Sequence, residues 1–268
     1  MTGGVTGEED MQHWTARPRP EVKQLEGRFV RLERLDPDRH AEGLFDASAV
    51  PDAEARFRWL FDEPPTDWAS FRAWVERSAQ STDPLFYAAI DRASGKVAGR
   101  QTLMRIDTAN GVAEIGNIFW GPLMARRPAA TEALHLFARH LFDDLGYRRF
   151  EWKCNDDNLP SKRAALRFGF RHEGLFRQHM VVKGLNRDTA WFAMTDKDWA
   201  NLKPAYEAWL SAGNFDAEGV QRQRLEALQK DFASAFDVVE VDHRRWLSVM
   251  GDVAGRSGNG GPAIADEV

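Results

Sequence analysis

Apolar and polar positions recur along this chain at changing periods, and the changes mark its elements. Over "GRFVRLERLD" (27–36) Phe29, Arg31 and Glu33 alternate with Val30, Leu32 and Arg34, which predicts a half-buried strand. In "TDWASFRAWVERSAQ" Trp68, Phe71, Trp74 and Val75 fall at helical spacing, with Thr66 or Asp67 placed to cap. Residues 85–107 predict two strands around an Ala-Ser-Gly-Lys turn, and "GVAEIGNIFWG" (111–121) predicts another. In "ATEALHLFARHLFDDLGYRRF" one helical face carries Leu134, Phe137, Ala138, Leu141 and Phe142, and Gly146 ends the helix. "RRFEWKCN" predicts a strand, 159–168 a short helix, and "QHMVVKG" with "RDTAWFAMT" a strand pair closing on Gly-Leu-Asn. "DWANLKPAYEAWLSAGNF" and "EGVQRQRLEALQKDFASAF" predict C-terminal helices.

This order predicts an α/β fold with a mixed sheet rather than a regular βαβ repeat. Residues 1–20 are polar and punctuated by Gly and Pro, and read as a disordered leader; 251–268 read as a disordered tail. The main domain is placed at 21–200 and a helical extension at 201–250. No G-x-G-x-x-G follows a strand, and there is neither a P-loop nor a G-x-S-x-G. Those motifs' dinucleotide, nucleotide and triad-hydrolase chemistries are therefore not expected.

Composition narrows the field further. A mean hydropathy of −0.52, with no apolar run near eighteen residues, predicts no membrane span. The N-terminus lacks a basic-then-apolar export pattern, and Cys154 is the single cysteine. A cytoplasmic protein without disulfides or a Cys-based metal site is expected, and no metal is expected at all. The net charge of −5 argues against nucleic-acid binding. Yet Arg148 to Asp188 hold ten Lys/Arg against five Asp/Glu, a positive island in an acidic chain.

That island contains one of two strand-to-helix junctions built for anions. In "FWGPLMARRPAATEAL" (119–134) a strand ends at Pro122 and a helix opens behind Arg126 and Arg127. Its first-turn amides and dipole attract negative charge, and Ala129, Ala130 and Thr131 are small enough for a pyrophosphate to approach. In "CNDDNLPSKRAALRFGFRHEG" (154–174) Asn158 and Ser161 flank the start of a short helix that Gly169 ends, with Lys162, Arg163 and Arg167 projecting. An ordinary capped helix with solvated bases would account for either junction taken singly.

Together these junctions, with "EIGNIFW" and "GLNRDTAWFAMTDKDW", resemble the GNAT superfamily of acyl-CoA-dependent N-acetyltransferases, in its RimJ/RimL-like branch. The resemblance covers about Arg28 to Trp199, and implies a mostly antiparallel sheet with flanking helices and acetyl-CoA as co-substrate. It implies that Arg126, Arg127, Ala129, Ala130 and Thr131 hold the pyrophosphate, and that Asn158 contacts the pantetheine. Ser161 would give a proton to the departing thiolate. The family's loop usually reads Arg/Gln-x-x-Gly-x-Gly/Ala, where this chain has "RRPAAT". Glu114 is the first choice of base, directly or through water, with Glu173 and His179 behind it. Cys154 is expected to be a core thiol. The acceptor is an amine of unspecified identity, a protein N-terminus or a small molecule, bordered by 50–66 and 183–188, whose acidic residues favour a cationic one. The alternative is a degenerate GNAT domain that serves as a CoA-sensing or interaction module. In a further reading Leu225, Leu228, Phe232, Ala235 and Phe236 form a stripe that could pair two copies in a homodimer.

Overall fold

Eight strands form one sheet in the order β1-β2-β3-β4-β5-β6-β8-β7 in the computed structural model, which describes residues 11–233. The strands are β1 (Gln24–Glu26), β2 (Val30–Arg34), β3 (Leu85–Asp91), β4 (Val97–Asp107), β5 (Val112–Trp120), β6 (Arg149–Asn155), β7 (Arg171–Val182) and β8 (Leu185–Thr195). The helices are α1 (Pro37–Ser48), α2 (Ala53–Phe57), α3 (Trp68–Gln80), α4 (Pro128–Arg139), α5 (Leu159–Arg167), α6 (Asp196–Leu210) and α7 (Leu225–Ala233). Every strand pairing is antiparallel except β5 with β6. The mixed, mostly antiparallel sheet expected from the sequence is what forms.

Local chemistry sets most of the element ends. Asp67 Oδ1 accepts from Ser70 N at 2.9 Å and caps α3, while Thr195 and Asp198 form a reciprocal capping box on α6. Gly169, at φ +87°, ends α5 in the left-handed region, and a Cβ there would meet Leu202 at 2.6 Å. Several boundaries differ from expectation; β7, for one, starts at Arg171 rather than Gln178. The β7–β8 hairpin turns at Lys183–Gly184, both at positive φ, rather than at Gly-Leu-Asn. A two-residue turn with positive φ at both positions matches strand twist, so Leu185 and Asn186 are left to start β8. The last helix starts at Leu225, not Glu218, because Asp216 Oδ1 accepts from Glu218 N and Val220 N and holds that stretch as a turn.

The leader expected over 1–20 is in part ordered. Residues 1–10 lie outside the described residues, but 11–20 run across the starts of β5 and β6. Trp14 Nε1 donates to Ala109 O at 2.7 Å, Arg17 N to Thr108 O at 2.8 Å, and Tyr147 Oη to Pro18 O at 3.1 Å. Gly and Pro content is a statement about local propensity, and these long-range contacts override it. The tail from 234, including Ala235 and Phe236, lies outside the described residues. Leu225 and Leu228 are buried in the protein's own core, with Phe232 packed against it, so this part of the stripe offers no face to a second copy.

Two apolar layers enclose the sheet. The larger lies between the sheet and α4, α5, α6 and α7; the smaller packs α1 and α3 on the other side of β2 and β3. Two buried polar residues of α4 matter later. Glu132, 4% exposed, accepts from the backbone N–H groups of Arg28 (2.7 Å), Phe29 (2.6 Å) and Val30 (2.9 Å), clamping the β1–β2 turn. His135 stacks on Tyr206 at 5.5 Å, and neither ring nitrogen has a hydrogen-bond partner among the described residues. Burial, reinforced by Arg139, pushes its pKa down from 6.5 to about 4.

This predicts acid sensitivity. The unfolded chain protonates His135 near pH 6.5 while the folded one resists until about pH 4, so stability falls as pH drops through that window. The shift from 6.5 to about 4 corresponds to roughly 3 kcal/mol at 1.36 kcal/mol per pH unit. Thermal unfolding of wild type and His135→Phe at pH 7 and pH 5 checks it. The variant should lose markedly less Tm on acidification; equal losses would place the acid sensitivity elsewhere.

Candidate active site

The exceptional strand pair builds the site. β5 and β6 pair in parallel from Val112↔Arg149 to Ile115↔Trp152 and then separate. β5 continues along β4 through a bulge at Asn117 (φ 48°), while β6 continues along β8 to Asn155↔Thr189. A V opens between 116–120 and 153–155, where each strand has an edge without a partner strand. Because the strands are parallel, both end on the same side, and the helices that follow them, α4 and α5, begin at its mouth. That is why the chain carries two anion-ready junctions.

At the first junction Arg126 and Arg127 are exposed, and neither has an acidic partner among the described residues. Arg126 sits in the left-handed region at φ 60°, an uncommon conformation for a side-chain-bearing residue. Its N–H and that of Ala129 have no acceptor among the described residues. Arg127 N is spent on Met124 O, and Ala130 N on Arg127 O at 3.1 Å. Pro128 supplies none. Ala129, Ala130 and Thr131 turn their side chains into the core, at 4%, 5% and 2% exposure, and Thr131 Oγ1 accepts from Arg167 Nη1 at 2.9 Å. Of the expected pyrophosphate residues, then, the structure offers two arginines and backbone, not the small side chains or the Thr hydroxyl.

At the second junction Asn158 Oδ1 accepts from Ser161 N at 3.1 Å, closing the α5 cap and leaving the side-chain amide Nδ2 free to donate. Trp152 Nε1 donates to Ser161 Oγ at 3.0 Å. An indole can only donate, so this bond takes a serine lone pair and leaves the O–H to donate, with the Cys154 sulfur as its weak partner. Cys154 is 5% exposed, and burial, eased by a Ser161 hydrogen bond, raises its thiol pKa to about 11; it is a core thiol and no nucleophile at neutral pH.

Glu114 is also buried, at 3% exposure, but it is not free. Arg105 Nη1 lies 2.9 and 2.7 Å from its two oxygens, and Lys153 Nζ 2.8 Å from Oε2. Lys153 also binds Glu151 at 2.6 Å, and Arg149 joins Glu151 to Glu173, which is thereby structural. An alternating ladder of charges thus lines the sheet face away from α4. His179 Nδ1 lies 3.0 Å from Thr189 Oγ1 on the same side.

The 50–66 segment and the β7–β8 hairpin meet across this face. Lys183 Nζ donates to Phe57 O at 3.1 Å and pairs with Glu63 at 3.0 Å, beside a hollow of about 390 Å³ lined by Glu54, Phe57, Arg58 and Pro64. Arg100, 1% exposed and unanticipated from sequence, donates to Asn117 O at 3.0 Å and pairs with Asp62 at 2.5 Å, tying the segment to the β5 bulge. An arginine inside the apolar strand "VAGRQTLM" was the available signal.

Comparison with known proteins agrees with this geometry. Residues 30–171 match the family model described as an acetyltransferase (GNAT) domain. A GCN5-related N-acetyltransferase from Brucella melitensis is 61% identical and superposes with a TM-score of 0.81, over 82% of this chain and 99% of that one. The chain belongs to the GNAT acetyltransferase family.

As a GNAT protein it is an acetyl-CoA-dependent acetyltransferase. The RimJ/RimL-like branch is supported by a Bacillus subtilis (strain 168) protein named as a ribosomal N-acetyltransferase, YdaF. It is 24% identical over 176 residues, 64% of this chain and 92% of YdaF. An N-acetyltransferase named p20, of Bacillus licheniformis, is 29% identical over 118 residues, 42% of this chain and 64% of p20's length. Among the described residues no cluster of three or more His, Cys, Asp or Glu could hold a metal ion, and no helix is long and apolar enough to cross a membrane.

Proposed function

We propose that this GNAT protein transfers an acetyl group from acetyl-CoA to a primary amine, a protein N-terminus or a small molecule, by direct attack with both substrates held together. The observation that carries the reading is Ser161 Oγ at the opened V, with Trp152 Nε1 on one lone pair and an O–H that faces only the buried Cys154 thiol, a weak acceptor that a thioester sulfur can displace. Ser161 gives that proton to the sulfur as the carbon–sulfur bond breaks, which spares the reaction a free thiolate. Asn158 Nδ2 and the unpartnered strand edges of the V are suited to pantetheine amides. Arg126, Arg127 and the free amides of Arg126 and Ala129 suit the pyrophosphate. The residues present therefore fit the donor, despite the absence of glycines in "RRPAAT".

Glu114 takes up the amine's proton through water in this scheme. Both its oxygens are engaged by Arg105 and Lys153, so direct contact with the amine would break one of those bonds. Binding and turnover test the function as a whole. Titration with CoA is expected to give micromolar affinity, and thiol release from acetyl-CoA should follow addition of an amine from a panel. Absence of heat at millimolar CoA would return the chain to the degenerate, non-catalytic module.

The loop makes a prediction of its own. Replacing Arg126 and Arg127 together with Ala should raise the Kd for CoA about tenfold and flatten its salt dependence, since exposed charge pairs are screened by salt. Titration at two ionic strengths reads both effects. An unchanged Kd would leave the pyrophosphate to backbone amides alone.

A further inference from the structure

Among the described residues, buried cations are answered by carboxylates, with one exception on the acceptor side. Arg100 has Asp62 at 2.5 Å, Lys153 has Glu114 and Glu151, and Lys162 has Asp156. Arg187 on β8 is 8% exposed and has no carboxylate within ion-pair distance among the described residues. Its Nε donates to Thr189 Oγ1 at 3.2 Å, and the Phe61 ring covers the guanidinium at 5.2 Å. Burial draws its pKa below the ordinary value, with Cys154 and Glu114 opposing and Arg105 reinforcing the shift. A guanidinium stays charged regardless, so among the described residues this desolvated cation has the Thr189 hydroxyl, the Phe61 ring and the field of Glu114 to offset it, but no paired carboxylate.

A second unanswered donor stands on the same strand face. β-strand side chains alternate, so Arg187, Thr189 and Trp191 share the face turned away from α4. Trp191 Nε1 is buried and has no hydrogen-bond partner among the described residues. Its ring stacks on the half-exposed Phe176 at 4.4 Å, with Lys153 Nζ over it at 3.8 Å. Cation and N–H both look for acceptor oxygens on the face the 50–66 segment covers. Of the acidic residues of that region, which favoured a cationic acceptor in the sequence, all but the exposed Glu54 at the hollow are committed among the described residues. Asp52 pairs with Arg56, Asp62 with Arg100 and Glu63 with Lys183, while Asp188 Oδ1 accepts from Gln178 N.

We propose that Arg187 binds an anionic group on the acceptor, so that the substrate is an amine bearing a carboxylate or phosphate rather than a polycation. The proposal rests on the acetyltransferase reading and narrows its acceptor. An oxyanion there receives a charge-assisted hydrogen bond from the guanidinium, and the aromatic rim of Phe61, Phe176 and Trp191 shields it from water.

The test uses the full chain saturated with CoA, so that the loop before α4 is filled, and probes matched except for the anion. These are L-phenylalanine against 2-phenylethylamine, and O-phosphoethanolamine against ethanolamine. In isothermal titration the anionic member of one pair should bind at least about tenfold more tightly, a difference that Arg187→Gln abolishes and Arg126→Ala leaves intact; the pair that responds distinguishes carboxylate from phosphate. In thiol-release assays Arg187→Gln should raise KM for that amine about tenfold with little change in kcat, and Arg187→Lys should restore part of it. Without probe, Arg187→Met should raise Tm, because it removes a buried charge that no carboxylate pairs; a merely structural arginine would lower it. Equal binding within both pairs, a preference that survives Arg187→Gln or disappears in Arg126→Ala, or a lowered Tm in Arg187→Met overturns the proposal. If CoA itself fails to bind, the acetyltransferase reading falls, and the same matched titrations on the CoA-free protein still decide the anion site.

Discussion

Ser161→Ala is expected to reduce kcat by about 10²-fold to 10³-fold, within the range typical of a lost general acid, while the Kd for CoA stays within about twofold. The separation follows from geometry. Asn158 Oδ1 caps α5 through the backbone N–H of residue 161, which alanine keeps, so the helix start should persist. What alanine removes is the oxygen that Trp152 Nε1 donates to, and the proton that oxygen carries. Leaving a partly buried indole N–H without a partner costs about 1 kcal/mol or more, so a modest fall in Tm should accompany the fall in kcat. Stopped-flow thiol release beside calorimetric CoA binding separates the two effects. A variant with unchanged kcat would transfer the proton-donor role to water. One that no longer binds CoA would make Ser161 a structural residue.

The second large effect concerns stability. Glu132→Ala should destabilise the protein by about 4 kcal/mol. Its carboxylate receives three backbone N–H groups, and hydrogen bonds to a charged group contribute roughly 1.5–3 kcal/mol each without adding fully. The donors belong to the β1–β2 turn, and Gly27 lies so close that a Cβ would sit 2.3 Å from Glu132 Oε2. Nothing else in that turn can replace the acceptor. Glu132→Gln should be nearly as damaging, because half the acceptor becomes an NH2 facing donors. Urea unfolding measures both. A loss below about 1 kcal/mol for Glu132→Ala would mean that water re-satisfies the turn.

Much of the fold was legible because its signals are local. The Asp67 and Asn158 caps and the Gly169 stop each concern residues a few positions apart, and each stands where expected; Leu134 to Phe142 are buried as expected, but α4 is buried all round and passes into a π-helical turn at His140–Asp144. The hairpin turn slipped because the Asn of Gly-Leu-Asn is a good turn former, whereas the pair needing positive φ is Lys183–Gly184. Parallel pairing of β5 with β6 follows from a crossover through α4 and from no local period. The V likewise follows from where that pairing stops, at Ile115↔Trp152, and no local signal marks it. Site chemistry divides the same way. Ser161 and Asn158 stand in a motif, so the sequence pointed to them. Trp152 on Ser161, Arg105 and Lys153 on Glu114, and Arg100 on Asp62 are meetings between strands or segments, and only the folded chain shows them. Glu114 illustrates the difference: its position on β5 suggested a free base, and its partners show a carboxylate fully engaged.

The segment at 11–20 has a consequence for the order in which the chain is made. Trp14 rests on Ala109, 95 residues later, and Pro18 accepts from Tyr147, 129 residues later. On a ribosome these early residues emerge with nothing to rest on. They must wait, exposed, until β5, α4 and the first residues of β6 have left the exit tunnel. Closing so long a loop is slow and entropically costly, so the strap is expected to close late, although its residues are made before those it rests on. It fastens across the starts of β5 and β6, the end at which the V is shut. The binding cleft is thus secured by a segment made earlier than the strands it fastens, and only after those strands are in place.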